Sequence, residues 1–216
     1  MSWLVVIPFK GAPDSKSRLA ERFDDATRNA LAVAFLQDTV SAARGIAGVA
    51  GVTIVSNQPG LGRLLSAPEG IAPARPVAPV EVIADPGDGL NAAITHGIAS
   101  FRGAEPGGHI AALLGDLPAL VPDELAAALA LAEKHPMSFV PDAAGDGTTM
   151  ITLAPGVAGQ VLFGVGSAVA HAVAGYVPLD VPAASGLRRD VDSPVDLERL
   201  AAPGKHTRGV LQGLGG

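Results

Sequence analysis

Three acidic and three basic residues of this 216-residue chain stand where catalytic geometry could use them. Asp116 follows an apolar run in Gly115-Asp116-Leu117-Pro118, the point at which a strand hands a carboxylate to the crevice beyond a parallel sheet. It also fits an ordinary turn aspartate ahead of Leu-Pro. Asp190 and Asp192 are spaced two apart in Asp190-Val191-Asp192-Ser193-Pro194, which turns both carboxylates to one face if the segment is extended. The same residues suit a helix start, with Asp192 or Ser193 as the cap before Pro194, and a carboxylate can cap and coordinate at once. Lys10, Lys16 and Arg18 follow the run Trp3-Leu4-Val5-Val6-Ile7, where Gly11 and Pro13 hold the chain irregular. Three fixed cations at the carboxyl end of a strand suit a polyphosphate. The plainer alternative is a first strand followed by a solvated loop.

Gathered at one site, the acids would repel, by about 4 kcal/mol for two unit charges about 4 Å apart at an effective dielectric near 20. A divalent cation removes that cost. Magnesium takes oxygen ligands, typically a few carboxylates plus substrate phosphates, which matches acids facing a cationic loop. Zinc is not indicated, because His96, His109, His135, His171 and His206 show no ligand spacing and the chain has no cysteine. A P-loop is rejected: its two glycine positions are held by Lys10 and Ser15. Gly164-x-Gly166 lacks the strand, helix and downstream acid of a dinucleotide fingerprint. The turn Asp85-Pro86-Gly87-Asp88-Gly89-Leu90-Asn91 is either a helix entry or a ligand contact through Asn91. Asp146-Gly147-Thr148-Thr149 and Phe163-Gly164-Val165-Gly166-Ser167 read as a hairpin and a helix cap, or as small hydroxyls and amides around a small anion.

To hold these residues together the chain must build a sheet. Residues 3–7, apolar and stopped by Pro8, suit a strand buried on both faces. Further strands are expected at 52–56, 80–84, 109–114, 138–140, 148–153 and 176–181. Helices are expected from Asp24-Asp25 to near Gly45 (amphipathic, with acids favouring its start), from the glycine-rich turn at 85–91 through about Phe101, from Pro122 to His135, at 167–174 and at 195–200, with one short turn between 59 and 68. The Pro-rich stretch 73–79 reads as a surface connection. Alternating strands and helices imply one α/β domain with a mostly parallel, partly mixed sheet. The domain is drawn at 1–205, with a flexible glycine-rich tail at 206–216.

Composition narrows the partners. The length suits one well-buried domain and is short for two catalytic ones. With 15 basic against 21 acidic residues the net charge is −6, which disfavours nucleic acid and anionic membranes. Lys10, Lys16, Arg18 and Arg22 nevertheless concentrate positive charge in one short stretch. No signal peptide is expected, since the apolar start lacks a basic leader; absent cysteines fit a cytoplasmic protein. Residues 147–179 carry no Asp, Glu, Lys or Arg, but Pro155, Gly156, Gly159 and His171 interrupt them, so strand, loop and helix are expected rather than a membrane span. The oligomeric state is not legible.

The order Ile7-Pro8-x-Lys10 followed by Ser15-Lys16-Ser17-Arg18-Leu19 resembles the amino-terminal signature of the guanylyltransferases of coenzyme F420 biosynthesis. Gly115-Asp116-Leu117-Pro118, the Gly89-Leu90-Asn91 turn and the 146–149 and 163–167 stretches resemble that family too, together covering most of the chain. The resemblance implies a single-domain, three-layer nucleotidyltransferase fold, Rossmann-like and of nucleotide-diphospho-sugar transferase type. It implies GTP as donor, bound by Lys10, Lys16 and Arg18 with Asn91 near base or ribose. Asp116, Asp190 and Asp192 would hold catalytic Mg2+, with Asp116 and Lys16 as catalytic residues. Thr148, Thr149, Gly164 and Ser167 would take the acceptor, phosphoenolpyruvate or 2-phospho-L-lactate. The former is expected because the Ala- and Gly-rich composition resembles actinobacterial members. One departure is Val165, where relatives commonly carry Pro. A sugar-phosphate or molybdopterin nucleotidyltransferase would carry a Gly-x-Gly-x-Arg start that is absent here. A non-catalytic nucleotide-binding module would keep the lysines without needing three acids.

Overall fold

The structure, a computed structural model, describes residues 2–11, 17–66 and 77–214. Lys16 and most of the Pro-rich 73–79 stretch lie outside the described residues. The strands are β1 (Trp3–Pro8), β2 (Val49–Val55), β3 (Val80–Ile83), β4 (His109–Leu113), β5 (Met137–Pro141), β6 (Thr148–Leu153) and β7 (Val177–Pro178). They form one sheet in the order β3-β2-β1-β4-β6-β5-β7. β1 runs parallel to β2 and β4, and β2 to β3, whereas β6 is antiparallel to both β4 and β5. The sheet is therefore mixed, as the sequence predicts. β7 is shorter than the predicted 176–181, pairing only Val177 and Pro178 with β5.

The chain builds outward from β1 through β2 to β3, then returns to place β4 on the other side of β1. That reversal opens a crevice at the carboxyl ends of β1 and β4, the place where open α/β sheets take ligands. The pleat sorts the core: Val5 and Ile7 face one apolar cluster, with Leu36 and Val40 of α1 (Asp25–Arg44) and Leu125 and Leu129 of α4 (Pro122–Ala132). Val6 faces the other, with Ile94 of α3 (Leu90–Ala104) and Ala168 of α5 (Ser167–Val173). A short α2 (Leu61–Ser66) follows β2. In α3, a Cβ on Gly97 would stand 2.5 Å from Val6 Cγ1, so glycine is what lets this helix settle onto β1.

Two expectations change at the carboxyl end. Residues 206–214 are not a flexible tail: α7 (Lys205–Gly213) is a helix that follows α6 (Pro194–Glu198). Its entry is capped from the body of the domain, because the buried Asp38 carboxylate of α1 accepts the backbone N–H groups of His206 (3.0 Å) and Thr207 (2.9 Å). Second, α1 is not one-sidedly amphipathic. Leu31 and Phe35 point away from the sheet into a third cluster with Leu19, Val191 and Leu197, backed by Val210 and Leu211 of α7. Burying a side chain such as Phe35 contributes about 1.5–3 kcal/mol, so the apolar outer face of α1 is what recruits α6 and α7. No helix among the described residues is long and apolar enough to cross a membrane; 147–179 folds into β6, a connection, α5 and β7.

Candidate functional site

A cavity of about 710 Å3 opens at the β1/β4 crevice. β1 ends in Pro8-Phe9-Lys10 and β4 runs on to Gly115-Asp116, so the two central strands deliver a cation and a carboxylate to the same floor. Arg18, from a 3-10 turn at Ser17–Glu21, is exposed at the rim with Lys10. Asp190 and Asp192 arrive from the segment before α6, and Thr148, Gly164 and Ser167 complete the wall.

A backbone bond ties residues 116 and 190–192 together: Val191 N–H donates to the Asp116 carbonyl at 3.1 Å. Val191 itself is fully buried in the cluster beneath α1, and its two neighbours line the cavity. The cap question resolves in the same place. Ser193 is the N-cap of α6, in a capping box with Asp196, so Asp192 is not the cap. Burial first, and then the carboxylates of Asp116, Asp192 and Asp142, together push the Asp190 carboxyl up to about 7. Among the described residues no three acidic or histidine side chains close into a ready-made metal cage. The donor set nonetheless fits magnesium, which binds through one or two carboxylates and leaves the remaining positions to water and substrate phosphate. Crowded carboxylates of this kind gain most from a divalent cation.

The opposite wall is held from behind. Thr148 is buried, lines the cavity, and places its Oγ1 3.0 Å from Nδ1 of His171 on α5. Thr149, one residue on, faces the other side of the sheet and donates to the Leu187 carbonyl at 2.7 Å. Its expected role in acceptor binding is therefore corrected: the pleat turns only one of the two threonines to the cavity. Ser167 is 1% exposed and its Oγ has no hydrogen-bond partner among the described residues, which leaves a hydroxyl available in the cavity wall. Gly164, at φ 136, and Gly166, at φ 70, take backbone conformations that favour glycine, and they bend the chain around this wall.

Asn91 is also reassigned. Its amide donates to the Phe163 carbonyl (3.1 Å) and accepts the Phe163 N–H (2.9 Å), so the side chain braces the wall, and Asn91 is not among the residues lining the cavity. Its neighbour Leu90 lines the cavity. Lys16 lies outside the described residues. Phe9 and Asp142 also line the cavity and went unnoticed in the sequence reading, while Asp146 and Phe163 were noted there only as parts of their segments. Asp142 accepts the N–H groups of Gly145 (2.6 Å) and Asp146 (3.1 Å) at the hairpin tip, and Arg188 fastens that tip by donating to the carbonyls of Pro141, Asp142 and Val181. The Asp-x-x-Gly-Asp-Gly pattern at 142–147 was the available signal.

Comparison with known proteins places the arrangement. Residues 3–212 match the family described as "Guanylyl transferase CofC like". The chain is 44% identical over 205 residues to the phosphoenolpyruvate guanylyltransferase of Streptomyces coelicolor, spanning 94% of this chain and 92% of that one. The fold is that of a Desulfovibrio desulfuricans G20 protein assigned to the nucleotide-diphospho-sugar transferases, at a TM-score of 0.64 and 15% identity over 99% of this chain and 95% of that one. It is also that of 4-diphosphocytidyl-2C-methyl-D-erythritol synthase, at a TM-score of 0.56 and 12% identity over 91% and 95%. With the family matched along nearly its whole length, the chain belongs to the CofC-like guanylyl transferases.

Proposed function

We propose that the chain transfers GMP from GTP to phosphoenolpyruvate, giving enolpyruvoyl-2-diphospho-5'-guanosine and pyrophosphate in coenzyme F420 biosynthesis. One observation carries the reading. One cavity sets Lys10, Arg18, Asp116, Asp190 and Asp192 against a wall presenting Thr148, Gly164 and the Ser167 hydroxyl, which has no hydrogen-bond partner among the described residues. The first side suits a triphosphate, the second a small doubly anionic acceptor.

In the reaction an oxygen of the acceptor phosphate attacks the α-phosphorus of GTP. The new bond forms between that oxygen and the α-phosphorus, the bond from the α-phosphorus to the bridging oxygen breaks, and pyrophosphate leaves. No protein nucleophile takes part, so the residues position substrates and balance charge. Lys10 and Arg18, with Lys16, hold the triphosphate. Thr148, Gly164 and Ser167 hold the acceptor in line with the α-phosphorus. Asp116, Asp190 and Asp192 would hold Mg2+, which supplies positive charge against the triphosphate and the departing pyrophosphate. GTP and phosphoenolpyruvate are cytoplasmic metabolites, and we assign the reaction to the cytoplasm.

The test is pyrophosphate release with GTP, Mg2+ and a panel of acceptors, with product mass. Phosphoenolpyruvate and 2-phospho-L-lactate compete at equal concentration. The two differ by a planar against a tetrahedral carbon, a difference worth about 1–3 kcal/mol, so some cross-reaction is expected. A preference for 2-phospho-L-lactate overturns the acceptor, and no product from either overturns the activity.

A further inference from the structure

Behind the acceptor wall sits a fully buried histidine that the reaction above does not use. His171 is packed among Phe139, Phe163 and Tyr176, with ring centroids 5.9, 5.4 and 5.1 Å away. Both its ring nitrogens are engaged. Nε2 lies 3.1 Å from the backbone N–H of Leu162 and accepts it, and a ring nitrogen that accepts a hydrogen bond carries no proton. Burial holds the imidazole below the ordinary histidine range, against the smaller opposing pull of the Ser167 carbonyl, so the ring is neutral near pH 7. Its single proton is therefore on Nδ1.

That assignment decides the role of Thr148. Nδ1–H donates to Thr148 Oγ1 across 3.0 Å, so the hydroxyl cannot spend its own proton on the ring. Thr148 lines the cavity, and its proton is left for a ligand there. In the other tautomer Thr148 would donate into the ring and offer only lone pairs to the cavity, which repel an anion. The same ring holds Leu162, one residue before the Phe163 backbone gripped by Asn91, and Tyr176 O–H donates to the Gln160 carbonyl at 2.8 Å. The connection that carries Gly164 to the cavity is thus tied at Gln160, Leu162 and Phe163.

We propose that His171 is a positioning residue for the acceptor: by fixing its Nδ1–H tautomer it makes Thr148 a hydrogen-bond donor to the anionic substrate, and by holding Leu162 it sets Gly164 against the same ligand. The inference rests on the acceptor reading given above, and it separates from that reading in its test. Ring 15N shifts of His171, assigned by loss of the signal in H171N, are expected to show a protonated Nδ1 and a bare Nε2 in the ligand-free protein at pH 7. A protonated Nε2 overturns the proposal whatever the enzyme's activity.

Kinetics supply the second arm. H171Q can still accept from Leu162 but has no donor at the Nδ1 position, so the KM for phosphoenolpyruvate should rise about tenfold, the scale of one lost hydrogen bond, with the KM for GTP within about twofold. H171N, whose amide nitrogen overlays Nδ1, keeps the donor to Thr148 and loses only the acceptor for Leu162, so its acceptor KM should rise less than that of H171Q. T148V should reproduce the H171Q effect, and the double variant should add little to either. Equal rises in both KM values, a rise in H171N as large as in H171Q, or additive effects would overturn the role. Should H171Q fail to fold, T148V against T148S asks the same question, with only the former expected to raise the acceptor KM. Wild-type protein that makes no product from phosphoenolpyruvate sinks the acceptor reading instead, leaving the 15N result standing.

Discussion

At the residue scale, the chemistry turns on a carboxylate group too crowded to be there for stability alone. Asp190 is pushed up to about 7 by burial and by Asp116, Asp192 and Asp142, so the acids destabilise one another in the protein by itself. Groups kept at such a cost mark sites of function. Replacing Asp116 by Asn removes one of the repelling charges and keeps the side chain's shape. Turnover should fall by more than about 100-fold, since even residues that only orient metal ligands cost 10–100-fold when lost. Thermal stability should be unchanged or slightly higher. Steady-state rates and melting temperature together check this, and near-wild-type turnover would remove Asp116 from the metal assignment.

At the element scale, two supports can be tested apart from activity. His171 ties the β6–α5 connection, and burial holds its ionisation below the ordinary value of 6.5. The unfolded chain therefore takes up a proton below about 6.5 that the folded ring refuses. This contribution to stability is complete above 6.5 and is lost as pH falls through the folded value. Tyr176 is the nearby titratable group, and burial raises it to about 12, outside this window. Urea midpoints for wild type should fall more between pH 7 and 5 than those for H171N; parallel curves would contradict the buried neutral ring. The second support is the Asp38 cap of α7. Asp38→Ala removes the acceptor of the half-buried His206 N–H and the buried Thr207 N–H, and should cost about 1–3 kcal/mol in urea unfolding while α1 and the sheet persist. A change below about 0.5 kcal/mol would mean that apolar packing alone docks α7.

At the scale of the whole molecule, the cavity exists because helices on both faces come close to the central strands. α3 is the sensitive one: Gly97 lets it approach Val6, and its first residues, Leu90 and Asn91, line and brace the cavity. Gly97→Ala forces the helix or the strand to yield, for which overpacking costs of about 1–3 kcal/mol are usual. Because the displaced helix carries the Asn91 clip on Phe163, the KM for acceptor should rise along with the loss of stability. Denaturant unfolding and acceptor KM measured on the same variant check the coupling. Lost stability with an unchanged KM would show that the wall is independent of α3.

Much of this was legible from local pattern. Apolar runs ended by Pro8 or by Gly115-Asp116 placed the strands and the two residues at their carboxyl ends, because chain direction and side-chain period are local properties. The amino-terminal and Gly-Asp-Leu-Pro motifs were enough to point to the family. Other features needed the tertiary structure. Strand β6 is buried on both faces, so its apolar run carries no phase, and nothing local says that Thr148 rather than Thr149 faces the cavity. Asn91 looked like a ligand group because its partner, Phe163, is 72 residues away. His171 showed only that it lacks ligand spacing, because both partners of its ring nitrogens come from other segments, and α7 looked like a flexible tail because its cap lies on α1, 168 residues earlier. Asp116 meets Asp190 and Asp192 where the Val191 N–H bonds the Asp116 carbonyl, a contact made when the last segment crosses the end of β4. Local sequence sets which backbone and side-chain groups each segment offers; which of them are satisfied by partners, and which remain for a ligand, is decided only when distant segments close on one another.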